Sequence, residues 1–167
     1  EKFISNLAAA SSIEPLFLKV LSSHLTIGET YFFREKPAMS LFIKMIMPEV
    51  IRKAEQEKRA IKIWSAGCSS GEEPYSLAII IKENFPELNP SDFTIMATDI
   101  SSKAINKAIS GIYTEWSFRE TSDNIRKKYF INNNGTWCIS PDIKRLVNFT
   151  YLNLAKDSYT NQLAEAI

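Results

Sequence analysis

The chain has 167 residues, of which 45% are hydrophobic and 23% are charged, and its formal net charge is only +1. This composition is that of an ordinary globular protein, and the balanced charge argues against a dedicated nucleic-acid-binding protein. No apolar run reaches the roughly 18 residues that a membrane span requires. The cysteines, Cys68 and Cys138, match neither a metal-binding spacing nor a disulfide framework, which favours a reducing, cytoplasmic location.

The first third of the chain is predicted to be helical. Apolar residues recur at helical spacing over residues 13–25. A second helix is expected from Pro37 to about Gln56, since proline suits the first turn of a helix. Pro48 should kink or split this helix because it has no backbone N–H. We therefore expect a helical region and a linker helix over residues 1–56.

Residues 57–167 alternate between strand and helix patterns, which predicts an α/β domain. Strands are expected at three places: Ile61–Trp64, Phe93–Thr98 and Leu146–Tyr151. A helix should begin near Ser70, because Ser70 and Glu73 have the spacing of a capping box. The same helix should end at Phe85, before a proline.

A further helix, from Ser101 to Gly111, completes a βαβα pattern before the pattern breaks. Within 114–145 we expect a short helix that ends near Tyr129, an Asn-rich turn and a short strand at Thr136–Ile139. This stretch is interpreted as a small β insertion in the α/β domain.

Residues 61–75 (IKIWSAGCSSGEEPY) are the most informative stretch. An apolar strand runs into a loop of small residues that opens a helix, as at a nucleotide-cofactor site in a doubly wound fold. Glu72 and Glu73 fall in the first helical turn, where a dinucleotide would place its pyrophosphate. Two carboxylates would repel it by about 4 kcal/mol per close pair at an effective dielectric of ~20. S-adenosylmethionine has no phosphate and carries a sulfonium cation, so the acidic loop favours it over NAD.

Four motifs, in order along the chain, resemble those of the chemotaxis receptor methyltransferases, the CheR family. The first is TIGETYFFR at 26–34, which resembles the family signature Thr-x-Asn-x-Thr-x-Phe-Phe-Arg. The second is WSAGCSSGEEPYS at 64–76, which is similar to the family's cofactor loop. The third is ATDIS at 97–101 and the fourth is VNFTYLNL at 147–154. The ordered set covers nearly the whole chain.

The resemblance implies a Rossmann-like methyltransferase fold, of which this chain holds the first half of the sheet. It implies methyl transfer from S-adenosylmethionine to glutamate carboxylates of chemoreceptors, with S-adenosylhomocysteine as the product. The expected partner is the cytoplasmic helical bundle of a chemoreceptor, without nucleic acid, membrane insertion or a metal. The insertion at 114–145 resembles a small β subdomain that docks receptors in some family members.

The resemblance also implies a set of cofactor-binding residues: Gly28, Thr30, Arg34, Ala66, Gly67, Glu72, Asp99, Asn153 and Leu154. Asp99 would accept hydrogen bonds from the ribose hydroxyls. Arg34 would bind the methionine carboxylate through two N–H groups. Asn153 and Leu154 would lie at the edge of the adenine.

Each of these interpretations has a structural alternative. Asp99 also suits the N-cap of the next helix or the turn directly before it, and Glu72 also suits a first helical turn through the macrodipole. Glu73 is interpreted as a capping-box partner and not as a ligand. Arg34 could instead form a surface ion pair with a neighbouring glutamate. Cys68 is interpreted as a small loop residue, since no histidine lies near it in the sequence to activate a thiol.

Two departures from the family pattern matter. Gly28 stands where the family has Asn, so a side-chain amide near the cofactor is missing. The chain also ends thirteen residues after Leu154, before the family's Cys-Arg-Asn-Val-type strand and a tyrosine near the transferred methyl group. We therefore expect an unpaired edge on the strand Ile61–Trp64, and little or no activity from this chain alone.

Two other functions remain open. A non-catalytic module that binds S-adenosylmethionine or a receptor is compatible with half a domain, and a methyltransferase for another substrate would share the fold. The sequence has no Asn-Pro-Pro-Tyr-type motif for base methylation. Transfer to a glutamate needs no general base, because that carboxylate is already ionised at neutral pH.

Overall fold

The computed structural model describes residues 28–155. The helix expected over 13–25, the first two residues of the 26–34 motif and the chain after 155 lie outside the described residues.

The described elements form two separate sheets. In chain order they are α1 (Lys36–Leu41), a π-helical segment (Phe42–Ile46), α2 (Met47–Glu57), β1 (Ile61–Ala66), α3 (Glu72–Asn84), β2 (Phe93–Asp99), α4 (Ser102–Ser110), β3 (Ile112–Thr114), a 3₁₀ turn (Glu115–Phe118), α5 (Asp123–Tyr129), β4 (Phe130–Asn133), β5 (Thr136–Ile139), α6 (Pro141–Lys144) and β6 (Val147–Tyr151). One sheet has the order β1-β2-β6 and the other has the order β3-β5-β4.

The helix expected from Pro37 to about Gln56 is continuous but loses its regular α-helical pattern directly before Pro48, where a kink or a split was predicted. Pro48 cannot donate a backbone hydrogen bond, so the regular i→i−4 pattern is interrupted there. The preceding segment widens into a π-helix, in which the Met47 N–H bonds to the Phe42 carbonyl five residues back. Regular helix resumes and ends at Lys58, whose φ of 49° closes α2 in the left-handed conformation.

The larger sheet is parallel, with β2 in the centre. Ile95 of β2 lies opposite Ile63 of β1 on one side and opposite Val147 of β6 on the other. The carboxyl ends of all three strands therefore meet at one edge of the sheet. Within residues 28–155, β1 pairs with β2 alone, which agrees with the open edge expected from the sequence.

Helix α3 is apolar around most of its circumference because it is enclosed by other elements. It contacts β2, β6, α6 and the π-helical segment. Ala78, Ile79 and Ile81 are fully buried in these contacts. This burial accounts for the unbroken apolar run in the sequence and holds the start of α3 at the carboxyl edge of the sheet.

The insertion forms the second sheet, which is antiparallel and starts with β3 at Ile112, two residues before the start expected from the sequence. The strand expected at Thr136–Ile139 is confirmed as β5, but the sequence patterns missed β3 and β4. Strand β4 was hidden because its last residues belong to the Asn-rich stretch, which reads as a turn. The turn itself occupies only Asn134 and Gly135, both with positive φ, as a two-residue hairpin requires.

The segment that precedes α1 is anchored to this insertion by Phe32. The Phe32 ring is fully buried, with its centroid 4.8 Å from those of Tyr113 and Phe130 and 5.1 Å from that of Phe118. Its N–H donates to the Ser117 carbonyl at 2.9 Å. Such aromatic pairs contribute beyond their buried area, so the insertion fixes the path of residues 28–34.

Candidate functional site

A cleft of about 540 Å³ opens at the carboxyl edge of the parallel sheet. Ligands bind at this edge in open α/β folds. Seven of the nine residues predicted as cofactor contacts line the cleft: Gly28, Thr30, Arg34, Gly67, Asp99, Asn153 and Leu154. The cleft thus joins four segments that are distant in the sequence. Ala66 and Glu72 do not line it.

Two backbone hydrogen bonds fix the loop between β1 and α3. The N–H groups of Gly67 and Cys68 both donate to the Thr98 carbonyl, at 2.8 and 2.9 Å. At the other end of the loop, Gly71 has a φ of 93°, and a Cβ there would lie 2.8 Å from the Ala108 side chain. Both the backbone conformation and the crowding therefore require glycine at this position.

The Asp99 carboxylate holds the floor of the cleft together. Its Oδ2 accepts from the Ser69 N–H at 2.8 Å and its Oδ1 from the Ser101 N–H at 2.7 Å. The N-cap of α4 is Ser101, whose hydroxyl accepts from the Ala104 N–H, so the N-cap alternative for Asp99 is wrong. The other alternative, a turn residue before this helix, agrees with the bond that Asp99 accepts from the Ser101 N–H. An ionised carboxylate has about four acceptor sites, so Asp99 keeps capacity for a ligand's hydroxyl groups.

Glu72 and Glu73 are placed in the opposite way to the expectation from the sequence. Glu72 is 1% exposed and accepts from the hydroxyls of Ser70 and Ser117. Glu73 lines the cleft and accepts from the Ser65 hydroxyl at 2.6 Å. The capping-box prediction is also wrong, since the N-cap of α3 is Gly71 and no side chain caps the helix.

The capping-box error explains the exchange of the two glutamates. Helix α3 begins only after the loop has turned at Gly71, so Glu72 and Glu73 are its first two residues. Successive residues of a helix differ by about 100° in direction, and one of the two must therefore point away from the cleft. The sequence shows the pair but not which member faces the ligand.

Arg34 combines both of its predicted environments. Its side chain lines the cleft, yet its Nε is 3.4 Å from the Glu35 carboxylate and its Nη1 donates to the Glu29 carbonyl at 2.6 Å. An exposed ion pair of this kind contributes little to stability, so it leaves Arg34 able to exchange Glu35 for a ligand carboxylate.

Gly28 lies at the rim of the cleft, in direct contact with the loop between β1 and α3. Its carbonyl accepts from the Ser69 hydroxyl at 3.3 Å, and a Cβ at this position would lie 2.7 Å from the same oxygen. The Ser69 hydroxyl would have to rotate away to admit a side chain here. The absence of a side-chain amide at position 28 is therefore matched by a serine that occupies the space.

Tyr31 is a further residue of the cleft, beyond the contacts named from the sequence. Its ring lies beneath the Arg119 guanidinium, whose Cζ is 3.5 Å from the ring centroid. Arg119 also lies 4.3 Å from the centroid of Trp116 and pairs with the Glu29 carboxylate at 3.1 Å. No local pattern predicts this contact, because it joins two segments that are about ninety residues apart.

Cys68 lies in the loop but is not a nucleophile. Burial, and to a smaller extent the nearby Asp99 carboxylate, raises the pKa of its thiol to about 12. A reactive cysteine requires a lowered pKa and access to solvent, and Cys68 is buried.

Among residues 28–155, no cluster of three His, Cys, Asp or Glu side chains could hold a metal ion. No helix in this part of the chain is long and apolar enough to cross a membrane.

Comparison with known proteins gives one family and several similar proteins. The family described as "CheR methyltransferase, SAM binding domain" matches residues 28–164. Chemotaxis protein methyltransferase 2 of Vibrio cholerae is 36% identical over 138 residues, which are 82% of this chain and 47% of that protein. The chemotaxis protein methyltransferase of Borreliella burgdorferi is 36% identical over 143 residues, 83% of this chain and 50% of that protein.

A third relative, the chemotaxis protein methyltransferase of Vibrio parahaemolyticus, is 39% identical over 140 residues, 81% of this chain and 49% of that protein. The chain thus spans about half the length of the curated relatives it matches. The cofactor that the acidic loop favours, S-adenosylmethionine, is the one in the family description.

Proposed function

Because this chain belongs to the CheR methyltransferase family, we propose that it forms the cofactor-binding part of a methyltransferase that modifies chemoreceptors. The acceptor is a receptor glutamate, which becomes a methyl ester. The observation that supports this proposal most directly is the cleft in which Gly67, Asp99 and Arg34 meet, inside the region that the family matches.

The side chains of the cleft fit S-adenosylmethionine. Asp99 and Glu73 supply carboxylates and Arg34 supplies a guanidinium, for a ligand with ribose hydroxyls, positive charge and a carboxylate. No cluster of cations for a pyrophosphate lines the cleft in residues 28–155. The volume of about 540 Å³ lies within the range of about 300–1,000 Å³ for small-molecule sites.

Each predicted contact that lines the cleft has a role in this proposal. Asp99 accepts hydrogen bonds from the ribose, Arg34 binds the methionine carboxylate, and Asn153 with Leu154 borders the adenine. Glu73 takes the role first given to Glu72 and faces the positively charged end of the cofactor. The remaining contacts come from the loop backbone and the 28–34 segment, namely Gly67, Gly28 and Thr30, whereas Ala66 does not line the cleft and has no role here.

The bound cofactor supplies an electrophilic methyl group, and the protein contributes binding and orientation. The acceptor carboxylate is ionised at neutral pH and needs no general base. The residues of the cleft hold the donor in line with the acceptor and exclude water from it, which is where the rate enhancement arises.

The domain division follows the same proposal. The proposed parts are a region with a linker helix, residues 1–56, and the cofactor-binding domain, residues 57–167, of which the structure describes 28–56 and 57–155. The insertion at 114–145 is the receptor-docking element, and the protein acts in the cytoplasm. Two cations of the insertion have partners within this chain. Arg126 pairs with Asp123 inside the insertion, and Lys128 pairs with Glu83 of α3.

Calorimetric titration with S-adenosylhomocysteine tests the proposed site. We expect saturable binding of one molecule to the full-length protein. A protein that shows native circular dichroism yet does not bind the compound would refute the cofactor assignment. Binding without methyl transfer to receptors would instead support a non-catalytic module.

A further inference from the structure

The Glu72 carboxylate is buried at the back of the cofactor loop and has no part in the function proposed above. Its exposed fraction is 1%, and within residues 28–155 no basic side chain forms an ion pair with it. Its Oε2 accepts from the Ser70 hydroxyl at 2.7 Å and its Oε1 from the Ser117 hydroxyl at 3.0 Å. A buried carboxylate without a cation depends on such hydrogen bonds.

The two serines belong to different parts of the fold. Ser70 lies in the cofactor loop, directly before Gly71, whereas Ser117 lies in the 3₁₀ turn of the insertion. Glu72 is the first residue of α3. One carboxylate therefore connects the loop, the helix and the insertion.

Two further hydrogen bonds join the same parts. The Tyr113 hydroxyl, from β3 of the insertion, donates to the Ser70 carbonyl at 2.9 Å. The Phe32 N–H donates to the Ser117 carbonyl at 2.9 Å, which ties in the 28–34 segment of the cleft. The carbonyl and the hydroxyl of Ser70 are thus both held from behind, the carbonyl by the insertion directly and the hydroxyl through Glu72.

We propose that Glu72 is a positioning residue, which fixes the cofactor loop against the insertion through Ser70 and Ser117. The insertion then has a second function besides the docking of a receptor, because it fixes the wall of the cleft. This inference rests on the proposed function, since it assumes that the cleft binds S-adenosylmethionine. It predicts that a change in the insertion, remote from the ligand, lowers cofactor affinity.

The insertion offers a matched control for this prediction. Tyr113 and Tyr129 are both buried tyrosines of the insertion whose hydroxyls donate to groups of the main domain. Tyr113 bonds to the cofactor loop, whereas Tyr129 bonds to Glu83. Glu83 lies eleven residues beyond Glu72, which is about 16 Å along α3. Removal of either hydroxyl weakens the contact between the insertion and the rest of the α/β domain. Only the removal of the Tyr113 hydroxyl also affects the cofactor loop.

The experiment measures S-adenosylhomocysteine affinity by calorimetry and the melting temperature of each variant in the full-length protein. We expect Ser117→Ala, Tyr113→Phe and Glu72→Gln each to weaken binding about fivefold or more, the scale of one lost buried hydrogen bond. The double variant Glu72→Gln/Ser117→Ala should lose no more affinity than the weaker-binding single variant, because both substitutions disrupt the same hydrogen bond between Glu72 and Ser117. Tyr129→Phe should lower the melting temperature and leave the affinity within about twofold, within the usual error of additivity.

Unchanged affinity in Ser117→Ala and Tyr113→Phe would overturn the inference, even if Glu72→Gln fails to fold. Equal losses of affinity in Tyr113→Phe and Tyr129→Phe would also overturn it, since they would reflect general destabilisation. Failure of the wild-type protein to bind S-adenosylhomocysteine would instead refute the proposed function.

Discussion

The adjacent carboxylates of Glu72 and Glu73 lie in different environments at the start of α3. Glu72 is buried against the hydroxyls of Ser70 and Ser117, while Glu73 lines the cleft and accepts from the Ser65 hydroxyl. The first turn of the helix separates their directions by about 100°. One glutamate therefore supports the loop, and the other is available to a ligand.

The first prediction concerns Glu73. Substitution Glu73→Gln should weaken S-adenosylmethionine binding about tenfold, because it removes a carboxylate from the positively charged end of the ligand. Calorimetry measures the change. Glu87→Gln is the control, since Glu87 is exposed and does not line this cleft. Equal affinities of Glu73→Gln and wild type would show that Glu73 does not contact the cofactor.

The second prediction concerns Asp99. Substitution Asp99→Ala should weaken S-adenosylhomocysteine binding by about 1–3 kcal/mol, because the ribose hydroxyls lose their acceptor. Asp92→Ala is a matched control: Asp92 also accepts from a backbone N–H, that of Asn89, but lies outside the cleft. If both variants bind as the wild type does, Asp99 has only the structural role that its bonds to Ser69 and Ser101 provide.

The third prediction concerns cofactor choice. NAD should not displace S-adenosylhomocysteine, because Glu72 and Glu73 occupy the first turn of α3 and Glu73 faces the position of a pyrophosphate. A competition titration, with unlabelled S-adenosylhomocysteine as the positive control, measures this. Displacement by micromolar NAD would contradict the cofactor assignment.

The fourth prediction concerns Cys68. Its thiol pKa of about 12 leaves almost no thiolate at pH 8, so iodoacetamide should modify the half-buried Cys138 first. Peptide mass spectrometry distinguishes the two sites, and both should react in guanidinium chloride. Because folding keeps this thiol protonated, its contribution to the free energy of unfolding is complete below about pH 9 and is lost as the pH rises towards 12. Rapid alkylation of Cys68 in the folded protein would show that the loop opens.

The fifth prediction concerns the substrate. The full-length protein should transfer a tritiated methyl group from S-adenosylmethionine to receptor-containing membranes, and alkali should release the label as methanol, as it does from a methyl ester. Membranes without chemoreceptors serve as the control. Label that is stable to alkali, or that is found in nucleic acid, would indicate a methyltransferase for another substrate.

Local sequence signals predicted those elements whose ends are set by their own residues. Helix α4 begins after Ser101, which caps it, and ends at Gly111, whose φ of 68° closes it. Pro48 lies directly after the π-helical segment that interrupts the regular α-helix, as its missing N–H requires. Strand β4 was missed because its asparagines favour a turn in isolation, and only pairing with β5 makes them a strand.

Most members of the candidate site were also predictable, because the loop, the strand end at Asp99 and the 28–34 segment each have a recognisable sequence. The sequence thus determined the order of the strands and helices that alternate in the parallel sheet, the residue types around the cleft and the class of ligand they favour. The tertiary structure alone decided that Glu73 faces the cleft, that Tyr31 joins it beneath Arg119, and that Glu72 connects the loop to Ser117. These contacts join segments up to about ninety residues apart, and their geometry depends on how the sheet and the insertion pack, which no local pattern specifies.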